Sequence, residues 1–280
     1  MSTSPCIVRR LTREELDAAI SGARAEGWNP GLNEADSFYY TDPNGFFAAE
    51  VDGQVVGSIS AVAYDDTYGF MGFYIVRPDL RGKGYGMQLW NASLAYLGDR
   101  VIGADGVPNM LAKYETFGFR IAYRNVRYQG TGGGTEPEGL TGLDGVTFED
   151  LTAYDRLHFP APRTTFLKHW VRQQGAVVRV ALEGARIVGF GMLRPCKGAF
   201  KVGPLFADSP AVAERIFAAL NANAAGTTVF LDTPEPNAEA VAVAKRFGMT
   251  PAFETSRIYK GPAPELPMAR IFGVTSFELG

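Results

Sequence analysis

Arg81-Gly-Lys-Gly-Tyr-Gly86 sets three glycines at alternate positions beside two cations, after the apolar run Gly69–Val76 and before a helical pattern reaching about Leu97. A helix N-terminus offers N–H groups without partners and the positive end of the helix dipole. Glycine, lacking Cβ, lets backbone approach a ligand closely. Together they predict an anion cradle, with the amides of Arg81 to Gly86 converging on a phosphate as a nest. A plain strand-to-helix turn would need only one or two glycines. A side chain at Gly84 or Gly86 is expected to point at the phosphate or force an unfavourable φ.

Two common phosphate motifs fail on spacing. The P-loop pattern G-x-x-x-x-G-K-[ST] is absent. A Rossmann fingerprint would need glycine where Met87 stands, although Asp105 lies near the place of its ribose-binding acid. The stretch "RPDLR" also separates strand from first glycine, and an antiparallel hairpin precedes both.

The elements that must position this turn are legible on either side. Thr12-Arg-Glu-Glu15 is a capping box with Leu11 and Leu16 as its hydrophobic staple, predicting a helix over about 13–24. Two β-rich arms flank Asp52-Gly53, a hairpin signal, and "GFMGFYIV" is a third strand. After the glycine turn and its helix come a short strand "RVIGAD", a helix across "NMLAKYETF" and a strand "FRIAYRNVRYQ". Near Gln129 the texture becomes Gly-rich and acidic, "GTGGGTEPEGLTGLDG", which reads as a linker over 131–144 between domains 1–130 and 145–280.

The second half repeats the first. A hairpin turns at Glu183-Gly184, "AFKVGPLFA" is a strand, 209–225 a helix, "TTVFLD" a strand and 237–247 a helix. Gly53 and Gly184 are 131 residues apart, Gly57 and Gly189 132, and "YETFGF" precedes "AKRFGM" by 130. Near-constant register across most of each half marks a duplicated mixed α/β unit. The copy keeps the hairpin and the Phe-Gly turn. Where the glycine turn should recur stands "PAVAERIF", and Ala244 stands opposite Tyr114. Features lost while the architecture persists are candidates for function.

Composition bounds the rest. The 280 residues suit two domains, and 46% apolar with 20% charged residues describes a globular chain. A net charge of −3, with no Lys/Arg run, argues against nucleic acid. Cys6 and Cys196, and the two histidines, His158 and His169, match no metal or disulfide spacing, so no metal is expected. Neither an apolar leader in "MSTSPCIVRRL" nor a membrane-length run is present, which reads as a cytoplasmic protein without a membrane partner.

Val76-Arg77-Pro78 followed by Arg81-x-x-Gly84-x-Gly86 resembles the acyl-CoA motif of the GNAT superfamily of N-acetyltransferases. "KYETFGF" resembles that superfamily's later helix motif, and residues 6–128 follow its order of elements. The second half resembles a degenerate GNAT domain. The stretches "AEGWNPGLNEADSFYYTDPNGFF" and "GVTSFELG" are similar to a subgroup of tandem bacterial GNAT proteins. The resemblance implies two tandem α/β GNAT domains with a mixed sheet, and acetyl-CoA as donor. It implies pyrophosphate on the amides of Arg81, Gly82, Lys83, Gly84, Tyr85 and Gly86, and pantetheine along Ile75 and Val76, where the strand splays from its neighbour. It implies further that Tyr114 is the general acid protonating the departing thiolate. The same resemblance implies a cofactor contact at Asn109, although it stands five residues before Tyr114 where the family's asparagine stands six before.

Amine attack on a thioester also needs a base. "GFMGFYIV" holds no carboxylate. Asp36, Glu50, Asp65 or a water string to a backbone carbonyl remain as candidates. Trp28, Phe38, Tyr39, Tyr40, Tyr64 and Tyr68 could wall an acceptor pocket, and Arg194, Lys201 and Asp232 could reach a cleft between domains. The acceptor class is a primary amine, on a small molecule or a lysine side chain. The rival reading is a non-catalytic acyl-CoA sensor.

Overall fold

A computed structural model describes residues 5–280, so the start of the stretch read as leaderless lies outside the described residues. The first half runs β1 (Ile7–Arg10), α1 (Arg13–Ala25), α2 (Ala35–Thr41), β2 (Phe46–Val51), β3 (Gln54–Ala63), β4 (Tyr68–Val76), α3 (Tyr85–Leu97), β5 (Val101–Gly106), α4 (Leu111–Thr116) and β6 (Phe119–Thr131). The second runs β7 (Leu140–Thr141), α5 (Phe148–Arg156), α6 (Thr164–Trp170), β8 (Val177–Glu183), β9 (Arg186–Cys196), β10 (Ala199–Ala207), α7 (Pro210–Ala222), β11 (Thr228–Pro234), α8 (Ala238–Arg246), β12 (Thr250–Lys260) and β13 (Ile271–Gly273). Local signals behave as chemistry dictates. The Thr12 hydroxyl accepts from the Glu15 amide while the Glu15 carboxylate accepts from the Thr12 amide, closing the capping box. Asp52 and Gly53 both take positive φ at the hairpin tip.

One continuous sheet carries both halves, in the order β1-β2-β3-β4-β5-β12-β6-β11-β10-β9-β8-β7. Its centre is an exchange. β12, from the second half, pairs antiparallel with β5, while β6, from the first, pairs antiparallel with β11. β6 and β12 also pair with each other. Each half therefore completes its sheet with the other's strand.

β4 is the strand on which the site is built. It runs parallel to β5 from Tyr68 opposite Val101 to Met71 opposite Ala104, and there the pairing stops. On its other edge the register against β3 slips between Ser58 and Ser60, and Phe73 takes a φ of 48°. An extra residue in a strand bends it and adds twist, so the bulge carries the end of β4 away from β5. The second half begins the same way, β10 pairing with β11 from Ala199–Thr228 to Val202–Leu231. There, however, β13 occupies the opening, with Leu205 opposite Gly273 and Phe206 opposite Ile271.

The halves also share a core. Leu16, Phe38 and Phe73 pack in one cluster with Trp170, Phe190 and Leu279, the Phe38 ring 5.6 Å from Phe73 and 5.9 Å from Trp170. Each such burial stabilises by about 1.5–3 kcal/mol. Three buried ion pairs cross between halves: Glu34–Arg194 at 2.7 Å, Arg127–Asp232 at 2.6 Å and Asp105–Arg257 at 2.8 Å. The segment 274–280 then crosses from the second half into the first. The Tyr64 hydroxyl donates to the Leu279 carbonyl at 2.8 Å, and Arg163 donates to the Thr275 hydroxyl at 2.9 Å. Its Glu278 carbonyl lies against Gly72, where a Cβ would have no room.

Candidate functional site

The glycine turn is built as an open N-terminus. Gly82 and Gly84 take φ of 79° and 87°, and Gly84 caps α3 with no side-chain hydrogen bond. Among the described residues no hydrogen bond engages the amides of Gly82, Lys83, Gly84, Tyr85 or Gly86. Those amides are left for a ligand. A Cβ at Gly82 or Gly84 would meet nothing, so the left-handed backbone, not crowding, demands glycine there. Gly86 differs from the expectation. A Cβ there would come within 2.5 Å of the Tyr74 hydroxyl and 3.3 Å of Val76, so this glycine lets α3 pack on β4 rather than clearing a path to a phosphate.

A cavity of about 780 Å³ opens from this turn into the gap between β4 and β5. Of the residues singled out in the sequence, Ile75, Val76, Arg81, Gly82, Gly84, Tyr85, Gly86, Asn109 and Tyr114 line it, while Lys83 stands exposed outside it. The Ile75 carbonyl turns toward Gly57 of β3. The Val76 carbonyl instead accepts from Arg81 Nε at 2.9 Å, and Arg81 also pairs with Glu26. Arg81 thus ties the end of β4 to the glycine turn and to α1's C-terminal end.

Tyr114 is half-buried on α4. Its ring stacks on Trp90 at 5.3 Å, and burial, then the neighbouring Tyr74, push its phenol up, so it holds its proton at neutral pH. Tyr74 also lines the cavity, 5.5 Å from Trp90, and burial raises its phenol too.

The far wall comes from elements the sequence reading did not single out for the site. Phe253 and Thr255 of β12, Phe277 and Glu278 of the segment 274–280, and Asp105 of β5 line the cavity together with Trp28. Asp105 accepts from Asn125 at 2.8 Å and is paired with Arg257; burial outweighs that partner and raises its carboxyl. Arg127, held by Asp232, lies under Phe277 at 4.9 Å and Phe253 at 5.5 Å. Part of this wall, Phe277 and Glu278, lay in "GVTSFELG", whose mixed polarity does not announce burial.

The proposed bases fall elsewhere. Asp36 pairs with Arg13 at 2.6 Å on the surface, Glu50 pairs with Arg9 at 2.6 Å on β2, and Asp65 caps the turn at Thr67 and Tyr68. None lines the cavity. Among the six aromatic residues only Trp28 does. Phe38 is core, Tyr40 stacks on His169 at 5.2 Å, Tyr39 packs on Phe46, and Tyr64 and Tyr68 pack around Phe159. Arg194, Lys201 and Asp232 do lie between the halves, but buried behind the wall: Lys201 Nζ donates to the Asn29 carbonyl at 2.9 Å.

In the second half the equivalent helix is closed. The Ser209 hydroxyl accepts from the Val212 amide at 3.4 Å, and Pro210 contributes no N–H. With β13 in the sheet opening, neither cradle nor slot recurs.

Comparison with known proteins matches residues 11–119 to the acetyltransferase (GNAT) family and 151–273 to an acetyltransferase (GNAT) domain. Holothin acyltransferase of Pseudoalteromonas sp. (strain SANK 73390) is 31% identical over 270 residues, 95% of this chain and 92% of that protein. A Pyrococcus horikoshii protein described as a proposed acetyltransferase superposes with a TM-score of 0.84 at 24% identity, covering 100% of this chain and 98% of that one. A tandem GNAT protein from the clavulanic acid biosynthesis pathway superposes with a TM-score of 0.64 at 16% identity, covering 93% and 100%. Among the described residues no helix is long and apolar enough to cross a membrane.

Proposed function

We propose that this chain, which belongs to the GNAT acetyltransferase family, transfers the acetyl group of acetyl-CoA directly to the primary amine of a small molecule in a ternary complex. The observation that carries the reading is the cavity joining the open amides of the glycine turn to an aromatic and acidic far wall through the gap beside β4.

Acetyl-CoA is read as substrate, its pyrophosphate on the amides of Gly82 to Gly86 and its pantetheine along β4 at Val76. In the reaction the amine nitrogen bonds to the thioester carbonyl carbon and the C–S bond breaks, its electron pair leaving on sulfur. Tyr114 supplies the proton to that thiolate. The phenol carries its proton at neutral pH, burial making it a weaker acid than a free tyrosine, and general acid catalysis contributes about 10²–10⁴ in rate. Cys6 and Cys196 are not among the cavity residues, so an acyl-enzyme has no thiol nucleophile there.

Aromatic walls at Trp28, Phe253 and Phe277 favour a compact, flat acceptor over a lysine on a protein surface. The 31% identical relative is named for acylating holothin. The test is a matrix of acyl-CoA donors against small amines and lysine peptides, read by mass spectrometry of the product. Transfer to small amines with release of one CoA per product is expected. Acylation of lysine peptides alone would overturn the acceptor class, and binding of acetyl-CoA without any product would leave the sensor.

A further inference from the structure

We propose that the carboxylate of Glu278 is the proton acceptor for the attacking amine, so that the second half supplies a catalytic group to the first half's site; this rests on the acyl-transfer reading above. Three carboxylates line the cavity: Glu26, Asp105 and Glu278. Glu26 is taken by Arg81, and Asp105 by Arg257 and Asn125. Glu278 is 4% exposed, and among the described residues no hydrogen bond or ion pair engages it; its Oε2 is buried without a partner. A buried carboxylate oxygen left unpaired is costly. Its survival in a cavity wall is explained by a partner that arrives with the substrate.

Its position fits that task. Glu278 is anchored by its own backbone, whose carbonyl packs on Gly72, one residue past the last β4–β5 pair. Gly72 lies four residues before Val76, about 13 Å along a strand at the usual rise per residue. The group therefore stands at the deep end of the gap, away from the glycine turn. The charged groups facing it are Arg127 on β6, Lys201 on β10 and Glu34 before α2.

In the step, the substrate's ammonium gives one proton to Glu278, the free amine attacks the acetyl carbon, the C–S bond breaks with its pair on sulfur, Tyr114 protonates that thiolate, and the second proton the nitrogen loses as the amide forms restores the Tyr114 phenol. The proton on Glu278 leaves with solvent after the amide departs.

The experiment uses the full-length protein and Glu278→Gln, which keeps size and removes the basic oxygen. Turnover is measured with an alkylamine, protonated at neutral pH, and with a weakly basic arylamine or hydrazide, already neutral. General base removal is expected to lower turnover about 10²–10⁴-fold with the alkylamine. The loss with the neutral nucleophile should stay under about tenfold, and acetyl-CoA affinity by calorimetry should not move. Equal losses for the two classes, or none, overturn the assignment. Should Glu278→Gln melt early, Glu278→Asp, which keeps the charge one methylene further back, is measured against the same pair; equal losses there overturn it likewise. A wild-type protein that binds acetyl-CoA and acylates no amine overturns the acyl-transfer reading and this assignment together.

Discussion

The Tyr114 ring lies nearly parallel to the Trp90 indole, 14° off, with centroids 5.3 Å apart. Trp90 is itself buried on α3 beneath the glycine turn and also touches Phe117 and Phe119. One stacked pair thus couples the helix that carries the cradle to the helix that carries the proposed acid. Because the packing is by the ring's face, the hydroxyl can be removed while the ring stays. Tyr114→Phe should lower turnover by about 10²–10⁴ and leave acetyl-CoA affinity unchanged. The deficit should shrink with donors whose leaving thiol has a lower pKa. Turnover equal to wild type would return Tyr114 to a packing role.

Gly84 and Gly86 should fail differently. Gly84→Ala places a Cβ in open space but keeps a residue at φ 87°, a left-handed conformation costing about 1–2 kcal/mol. Acetyl-CoA affinity should fall about tenfold with a modest drop in melting temperature. Gly86→Val should drive into Tyr74 and Val76, an overpacking cost of about 1–3 kcal/mol, and lose stability and affinity together. Calorimetry and thermal melts on both variants separate the two.

Calorimetric titration should find one acetyl-CoA per chain. In the second half Ser209 already caps its helix and β13 already fills the sheet gap. A stoichiometry of two equivalent sites would contradict both.

Glu34→Gln should destabilise by about 3–5 kcal/mol in urea unfolding, because it leaves Arg194 buried without its counter-charge. Arg194 is fully buried over Trp170, 4.7 Å from the ring, and cannot reach water by rotating. Glu34→Met with Arg194→Met should recover most of the loss. A single variant as stable as wild type would mean that the pair contributes nothing to joining the halves.

His158 should make the protein acid-sensitive. It is buried, stacked on Phe206 at 4.6 Å, with Nδ1 at 2.8 Å from the Tyr154 carbonyl. Burial lowers its pKa to about 4. The unfolded chain, titrating near 6.5, then binds the proton first, so stability falls as pH drops from about 6.5 towards 4, by at most about 1.4 kcal/mol per pH unit. His158→Phe should flatten that slope. An unchanged slope would assign the acid sensitivity to carboxylates.

The cradle, the hairpins, the capping box and the duplication were legible because each is written in residues close together in the chain. Gly82 and Gly84 announce a left-handed backbone in their own identity, and Thr12 with Glu15 closes its bonds within one turn. The offset between Gly53 and Gly184 needs no fold to be counted. The far wall was not legible, since Phe253, Phe277 and Glu278 reach Trp28 only through the exchange of β6 with β12 and the crossing of segment 274–280. Strand partners and side-chain neighbours so far apart in the chain are selected by packing, and no local period encodes them. The same holds for Gly86, whose role depends on where Tyr74 lies, and for Asp36, Glu50 and Asp65, which the fold gives to arginines or turns outside the cavity. Local conformation was decided by local chemistry; which carboxylate stands unpaired at the site was decided by the sheet that joins the halves.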